Sequence, residues 1–85
     1  MDDEPLVLTS ALRHGVPEAD ILHAYRNATF EFADDTGLTT VYMYTGPVRS
    51  GVAVLELGAV WWHGVIAIIH AMRARRMFTR EGNRP

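Results

Sequence analysis

The sequence contains no cysteine and no lysine. The absence of cysteine excludes disulfide bonds, thiolate metal sites and cysteine nucleophiles, and it is compatible with a reducing cytoplasm. The acidic N-terminal segment has neither the basic region nor the apolar region of a secretory signal. We therefore expect a cytoplasmic protein.

The chain is short and apolar enough to form one small globular domain. It has 85 residues, of which 48% are hydrophobic, so the surface buried on folding is limited. Neither an internal repeat nor a linker interrupts it. We expect a single domain over residues 1–85, with residues 1–5 and 82–85 frayed.

The charged residues are unevenly distributed, although the formal net charge is only −2. Residues 1–40 contain eight acidic residues and two arginines, whereas residues 41–85 contain six arginines and two acidic residues. All the basic residues are arginine, a bias that a GC-rich genome produces as readily as selection does. The positive C-terminal half suits an anionic partner or attraction between the two halves.

The apolar stretch from Gly51 to Met72 has about the length of a membrane span. Glu56, His63 and His70 interrupt it, and a charged residue at the bilayer centre costs roughly 2.5–3.5 kcal/mol. Two strands joined by a turn at Trp62-His63-Gly64 explain the pattern better, so we expect no membrane span.

Capping residues and apolar periodicity predict an α+β fold. Two N-terminal helices are expected. The first is a single helical turn or a short helix over Ser10–His14, and the second begins at Val16-Pro17. From Thr29 onward, apolar and polar residues alternate with a period of two, and this pattern predicts an antiparallel meander of short strands. We predict that the two helices pack on a three- to four-stranded antiparallel sheet. The expected strands begin at Thr29, Leu38, Val52 and Val65, with Leu6-Val7-Leu8 as either another strand or a hydrophobic staple.

Neither a metal site nor a cofactor site is indicated. The four histidines are scattered, without the paired spacing that metal sites use. The glycine-rich segment Gly46–Gly51 lacks the lysine of a phosphate-binding loop, and no serine-nucleophile elbow is present. We therefore expect neither a metal ion nor a cofactor.

Five short segments of the sequence carry a resemblance to a known family. The segments are Arg13–Val16, Ile21–Asn27, Gly46–Gly51, Leu55–Gly58 and Ile69–Arg75. Together with the order of elements, they resemble the BrnT-like toxins of bacterial type II toxin–antitoxin systems, a branch of the RelE-like fold. The resemblance implies a small endoribonuclease neutralised by an antitoxin protein, which in this family often carries a ribbon-helix-helix domain.

Metal-independent RNA cleavage needs a base for the 2′-hydroxyl proton, cations for the phosphate and an acid for the leaving oxygen. The β-branched run from Val65 ends in a histidine and an arginine cluster, which supplies these residue types where a strand leaves the core. The candidate catalytic residues are His70, Arg73 and Arg75 at this exit, with His23 and Arg26 on a helix face. Arg76 and Arg80 are candidate RNA-binding residues.

Each candidate also has a structural interpretation. His70 at a strand end is often a hydrogen-bonded structural residue, and His23 with Arg26 is often a solvated helix face. The arginine cluster from Arg73 onward suits an acidic segment of an antitoxin as well as it suits RNA. Glu56 in an apolar strand needs a wet face or an arginine partner, and such pairing is favoured over a role as general base.

Two further histidines are weaker candidates. His63 follows Trp62 in the predicted turn and is assigned to turn formation. His14 is a lesser candidate for catalysis than His70.

A second hypothesis is a non-enzymatic interaction module with a toxin-like fold. Exposed aromatic side chains commonly anchor protein contacts. In this hypothesis the chain forms a homo-oligomer or an assembly through its sheet and its aromatic turn. The interface residues would be Trp61, Trp62, Tyr42 and Tyr44.

Overall fold

A computed structural model describes residues 4–75 of the chain. Within these residues it contains a five-stranded sheet with the strand order β1-β5-β4-β3-β2, one 3-10 helix and one α-helix. The strands are β1 (Leu6–Val7), β2 (Thr29–Asp34), β3 (Val41–Pro47), β4 (Val54–Trp62) and β5 (Val65–Arg73). The 3-10 helix spans Thr9–Leu12, and the α-helix, α1, spans Glu18–Arg26.

The predicted fold class was therefore wrong in two respects. The described chain has one α-helix instead of two N-terminal helices, and it has a five-stranded mixed sheet instead of a three- to four-stranded antiparallel sheet. The strands β2 to β5 form antiparallel neighbours in chain order. The mixed character comes from β1, which pairs parallel with β5 through Leu6 with Ala67 and Val7 with Ile68.

The expected helix over Ser10–His14 is replaced by the shorter 3-10 helix. The Ser10 hydroxyl does not cap a helix; it donates a hydrogen bond to the Ile69 carbonyl of β5 at 2.7 Å. The Leu8 N–H likewise donates to the Ile68 carbonyl at 3.0 Å. Because these bonds hold the segment along β5, it extends the contact that β1 makes with that strand.

Helix α1 starts where the sequence predicts, because Pro17 precedes it and acidic residues occupy its first turn. The helix lies over β3 and β4, and its buried residues Ile21 and Ala24 belong to one buried cluster with residues of β4 and β5. The core residues are Ala11, Ile21, Ala24, Leu55, Leu57, Ala59, Ile68 and Ala71.

The register of β4 and β5 assigns their side chains to the two faces of the sheet. Leu57 pairs with Ala71, and both belong to the core on the α1 face. Gly58 pairs with His70. Because successive side chains alternate between faces, Glu56 and His70 lie on the face opposite α1.

The turn between β4 and β5 is a two-residue hairpin at His63 and Gly64. Both residues have positive φ angles, 53° and 85°, which is the requirement of a type I′ turn. The assignment of His63 to turn formation is thus confirmed. The stretch from Gly51 to Met72 forms two strands, and no helix within residues 4–75 is long and apolar enough to cross a bilayer.

Candidate functional site

The candidate site is built around Glu56, a fully buried carboxylate in the central strand β4. An isolated buried carboxylate is very costly, so its oxygens require partners. The neighbouring residues Leu55 and Leu57 point into the core on the other face. Glu56 is therefore the one charged side chain that β4 places inside the domain.

Both carboxylate oxygens of Glu56 accept hydrogen bonds. His70 Nε2 lies 2.9 Å from Oε2, and Arg75 Nη2 lies 2.9 Å from the same oxygen. The Arg75 backbone N–H and its Nε donate to Oε1 at 3.1 Å and 3.0 Å. One carboxylate therefore positions a histidine and an arginine together, and we name this group the Glu56 cluster (Glu56, His70 and Arg75).

The electrostatics of the cluster keep Glu56 ionised. Burial raises the pKa of Glu56, but hydrogen bonds from Arg75 and His70 outweigh burial, so the pKa lies below its ordinary value of 4.5. An ionised carboxylate only accepts hydrogen bonds. His70 Nε2 therefore carries the proton that faces Glu56, and in the neutral ring Nδ1 has the lone pair.

The Glu56 cluster opens to solvent on the side away from the carboxylate. The His70 side chain is 33% exposed and that of Arg75 is 54% exposed, whereas that of Glu56 is 0% exposed. The arrangement combines a buried, ionised group that orients a histidine with a histidine and an arginine that solutes can reach. This is the composition of a proton-transfer site for an anionic substrate.

A fourth residue, His14, lies beside the cluster. Its ring contacts that of His70 edge to face, with 5.8 Å between centroids and an angle of 81°. His14 follows the 3-10 helix, which is hydrogen-bonded to β5. His14 was predicted to be a lesser candidate than His70, and the sequence contains no signal that this segment runs beside β5.

The structure gathers some of the predicted site residues and separates others. His70 and Arg75 meet at Glu56. Arg73 ends β5 opposite Leu55, so the register assigns it to the α1 face. Arg76 and Arg80 lie outside the described residues.

The two predicted residues of α1 have other partners. His23 Nδ1 donates to the Pro47 carbonyl at 2.9 Å, which ties α1 to the end of β3. Arg26 forms an ion pair with Glu4 at 3.3 Å. Both residues lie on the helix that covers the opposite face from the Glu56 cluster, so the structure does not bring them to it.

The sequence left two alternatives for Glu56, a wet face or an arginine partner, and the structure shows the arginine partner. The sequence did not identify Glu56 as the centre of a site. The available signal was one acidic residue in an otherwise apolar strand, which requires a partner but does not identify it. Among residues 4–75, no group of three or more histidine or acidic side chains is placed to hold a metal ion.

The aromatic residues of the second hypothesis fall into two groups. Trp61 and Trp62 are 60% and 48% exposed at the β4–β5 turn. Tyr44 instead contacts Tyr25 and Phe30 edge to face and packs against the core. Of the four residues in this hypothesis, Trp61 and Trp62 are exposed, whereas Tyr42 and Tyr44 are partly buried.

The low pKa of Glu56 predicts how stability responds to acid. A carboxyl group with a lower pKa in the folded than in the unfolded state stabilises the fold above its unfolded pKa, and this contribution is lost as the pH falls through its folded pKa. We expect the free energy of unfolding to fall as the pH drops below about 4.5, the ordinary pKa of this carboxyl group, and to fall less steeply in Glu56→Gln. Urea unfolding across this range measures both slopes; equal slopes would contradict the assignment.

The function of this site has to be inferred from its own geometry. No protein-family model, no curated protein and no solved structure matches the chain.

Proposed function

We propose that this chain is a metal-independent endoribonuclease of the BrnT-like toxin kind, acting in the cytoplasm and neutralised by an antitoxin protein. The observation that carries the proposal is the Glu56 cluster, in which one buried carboxylate binds both His70 and Arg75. A histidine held in this way suits proton transfer near neutral pH. Arginine suits the binding of a phosphodiester through its planar guanidinium group.

His70 acts as the base in this proposal. Its Nε2–H is held by Glu56, so Nδ1 of the neutral ring is the atom that accepts the proton of a ribose 2′-hydroxyl. The carboxylate then stabilises the imidazolium ion that forms. Arg75 shares the carboxylate with His70, and in this proposal its guanidinium group binds the phosphate that the 2′-oxygen attacks.

The segments that resemble the toxin family also supply the residues of this site. Leu55–Gly58 contains Glu56, and Ile69–Arg75 contains His70 and Arg75. Arg13–Val16 contains His14, which contacts the His70 ring. The antitoxin and its ribbon-helix-helix domain are supported by the resemblance, and the cytoplasmic location is supported by the absence of cysteine.

The proposal predicts cleavage of RNA by the purified chain in the presence of EDTA. His70→Ala is expected to slow cleavage by about tenfold or more, because general acid–base catalysis typically contributes at least this much. The matched control is His63→Asn, a histidine of the β4–β5 turn where asparagine tolerates the positive φ. The rate is measured with end-labelled RNA, and circular dichroism verifies that each variant is folded.

Two results would contradict the proposal. Labelled RNA that stays intact with the parent chain argues against a nuclease active on free RNA. Cleavage that is equally fast in the parent and in folded His70→Ala would show that the activity does not come from the Glu56 cluster.

A second candidate is the non-enzymatic interaction module, and the exposure of Trp61 and Trp62 favours it. Exposed tryptophan side chains commonly anchor an interface. A chain that is inert towards RNA and forms a concentration-dependent dimer in sedimentation experiments would support this candidate over the nuclease.

A further inference from the structure

His14 is the second titratable ring at the Glu56 cluster, and the proposed chemistry so far assigns it no role. It is exposed and its ring touches that of His70. Within residues 4–75 its side chain makes neither a hydrogen bond nor an ion pair. The anchoring of the preceding segment on β5, through Ser10 to Ile69 and Leu8 to Ile68, holds the two rings side by side.

We infer that His14 donates a proton to the leaving 5′-oxygen while His70 accepts the proton of the 2′-hydroxyl, so that the first product ends in a 2′,3′-cyclic phosphate. This inference rests on the proposed function, and it names the acid, the required sugar and the product. Because the nucleophile is the 2′-hydroxyl, the substrate class is RNA and not DNA.

The contacts of the two rings divide the roles between them. Glu56 accepts a hydrogen bond from His70, and a carboxylate in that position stabilises the cation that a base becomes on taking a proton. His14 has no carboxylate partner within the described residues, and its ring is exposed to solvent. His14 therefore suits the role of the general acid, which is protonated before the reaction and neutral after it.

The proposed step balances in atoms and charge. The 2′-oxygen loses its proton to His70 Nδ1 and forms a bond to phosphorus. The bond from phosphorus to the 5′-oxygen breaks, and that oxygen takes the proton from His14. Neither an oxidant, a metal ion nor a co-reactant is required.

The geometry places both rings within reach of one phosphodiester. A proton donor or acceptor must lie within roughly 3 Å of the atom it serves, and the ring centroids are 5.8 Å apart. A phosphate that spans the edges of both rings can therefore contact one nitrogen of each. The charged and titratable groups around His70 are Glu56 from β4, Arg75 after β5 and His14 after the 3-10 helix.

The inference is tested with two RNA oligonucleotides that each contain a single ribose at the cleavage position. One has the ordinary 5′-bridging oxygen, and the other has sulfur in its place. A thiolate leaves without being protonated, so cleavage of the sulfur substrate does not require an acid. His14→Ala is expected to cleave the oxygen substrate at least about tenfold more slowly than the parent and to cleave the sulfur substrate at nearly the parent rate.

The controls separate catalysis from structure. Arg13→Ala changes the adjacent exposed residue and is expected to cleave both substrates like the parent. His70→Ala is expected to be slow on both, because the 2′-hydroxyl still needs a base. Mass spectrometry of the parent reaction is expected to show the 2′,3′-cyclic phosphate.

The outcomes distinguish failure of this inference from failure of the proposed function. A parent chain that cleaves neither substrate overturns the proposed function and the inference with it. A parent that cleaves both substrates while His14→Ala is unchanged, or is equally slow on both, overturns the role of His14 alone. A His14→Ala variant that is slow on the oxygen substrate but cleaves the sulfur substrate at nearly the parent rate supports the role of His14 as the acid.

Discussion

Replacing Gly46 with alanine is expected to lower the free energy of unfolding by about 3 kcal/mol. Gly46 is buried in β3 on the face that α1 covers. A Cβ atom there would lie 2.8 Å from the carbonyl carbon of Ala24 and closer still to its oxygen. These atoms belong to the helix backbone, so they cannot move aside as a flexible side chain does, and α1 must lift from the sheet.

The matched control is Gly37→Ala in the β2–β3 loop, where an added Cβ meets nothing within 4 Å. This change is expected to alter stability by no more than about 0.5 kcal/mol. Urea unfolding measures both variants. Lifting of α1 also breaks the bond from His23 to the Pro47 carbonyl, which shifts the His23 ring resonances in NMR spectra. Equal stability of the two variants would argue against close packing of α1 on β3.

The sequence predicted those elements whose signals are local. Pro17 and the acidic residues after it mark the start of α1, and the alternation from Thr29 onward marks the strands of the meander. The predicted fold class was nevertheless wrong. The segment Leu6-Val7-Leu8 was predicted as either a strand or a hydrophobic staple. Leu6 and Val7 pair with β5, about sixty residues away in sequence, and a two-residue strand has no period that identifies its partner.

The position of the site depended on an irregularity that the sequence does not reveal. From the turn, Trp62 pairs with Val65 and Ala59 with Ile68, but Gly58 pairs with His70 because the register shifts between Gly58 and Ala59. Without this β-bulge, alternation would place His70 on the α1 face. With the bulge, His70 lies on the same face as Glu56. The residue types at the strand exit were predictable, whereas their meeting at Glu56 was not.

Removing the Glu56 carboxylate is the second large change that the structure predicts. Glu56→Ala is expected to lower the free energy of unfolding by about 3 kcal/mol, because hydrogen bonds to a buried charge are lost together with the packing of the side chain. This loss of stability is at the lower end of the range that is typical when one partner of a buried ion pair is removed. His70 and Arg75 are 33% and 54% exposed, so water can hydrate them when the carboxylate is absent. Urea unfolding measures the loss.

The matched control is Glu31→Ala on the exposed edge strand β2. Glu31 accepts a hydrogen bond from Thr45 at 2.6 Å, and Thr45 is the residue of β3 that pairs with Glu56. The two glutamates therefore lie in the same region of the sheet, but of the two only Glu56 is buried. Because exposed polar contacts contribute little, Glu31→Ala is expected to cost no more than about 1 kcal/mol.

A local measurement separates anchoring by Glu56 from a general loss of packing. The Arg75 backbone N–H donates to Glu56 Oε1, so this amide is held by a side chain and not by the sheet. Glu56→Ala is expected to speed hydrogen exchange at Arg75 more than at Leu57 in the core. Glu56→Gln retains an oxygen that accepts this bond and is expected to keep part of the protection. Exchange that rises uniformly in Glu56→Ala would show that the carboxylate supports the core as a whole and does not specifically hold the arginine beside His70.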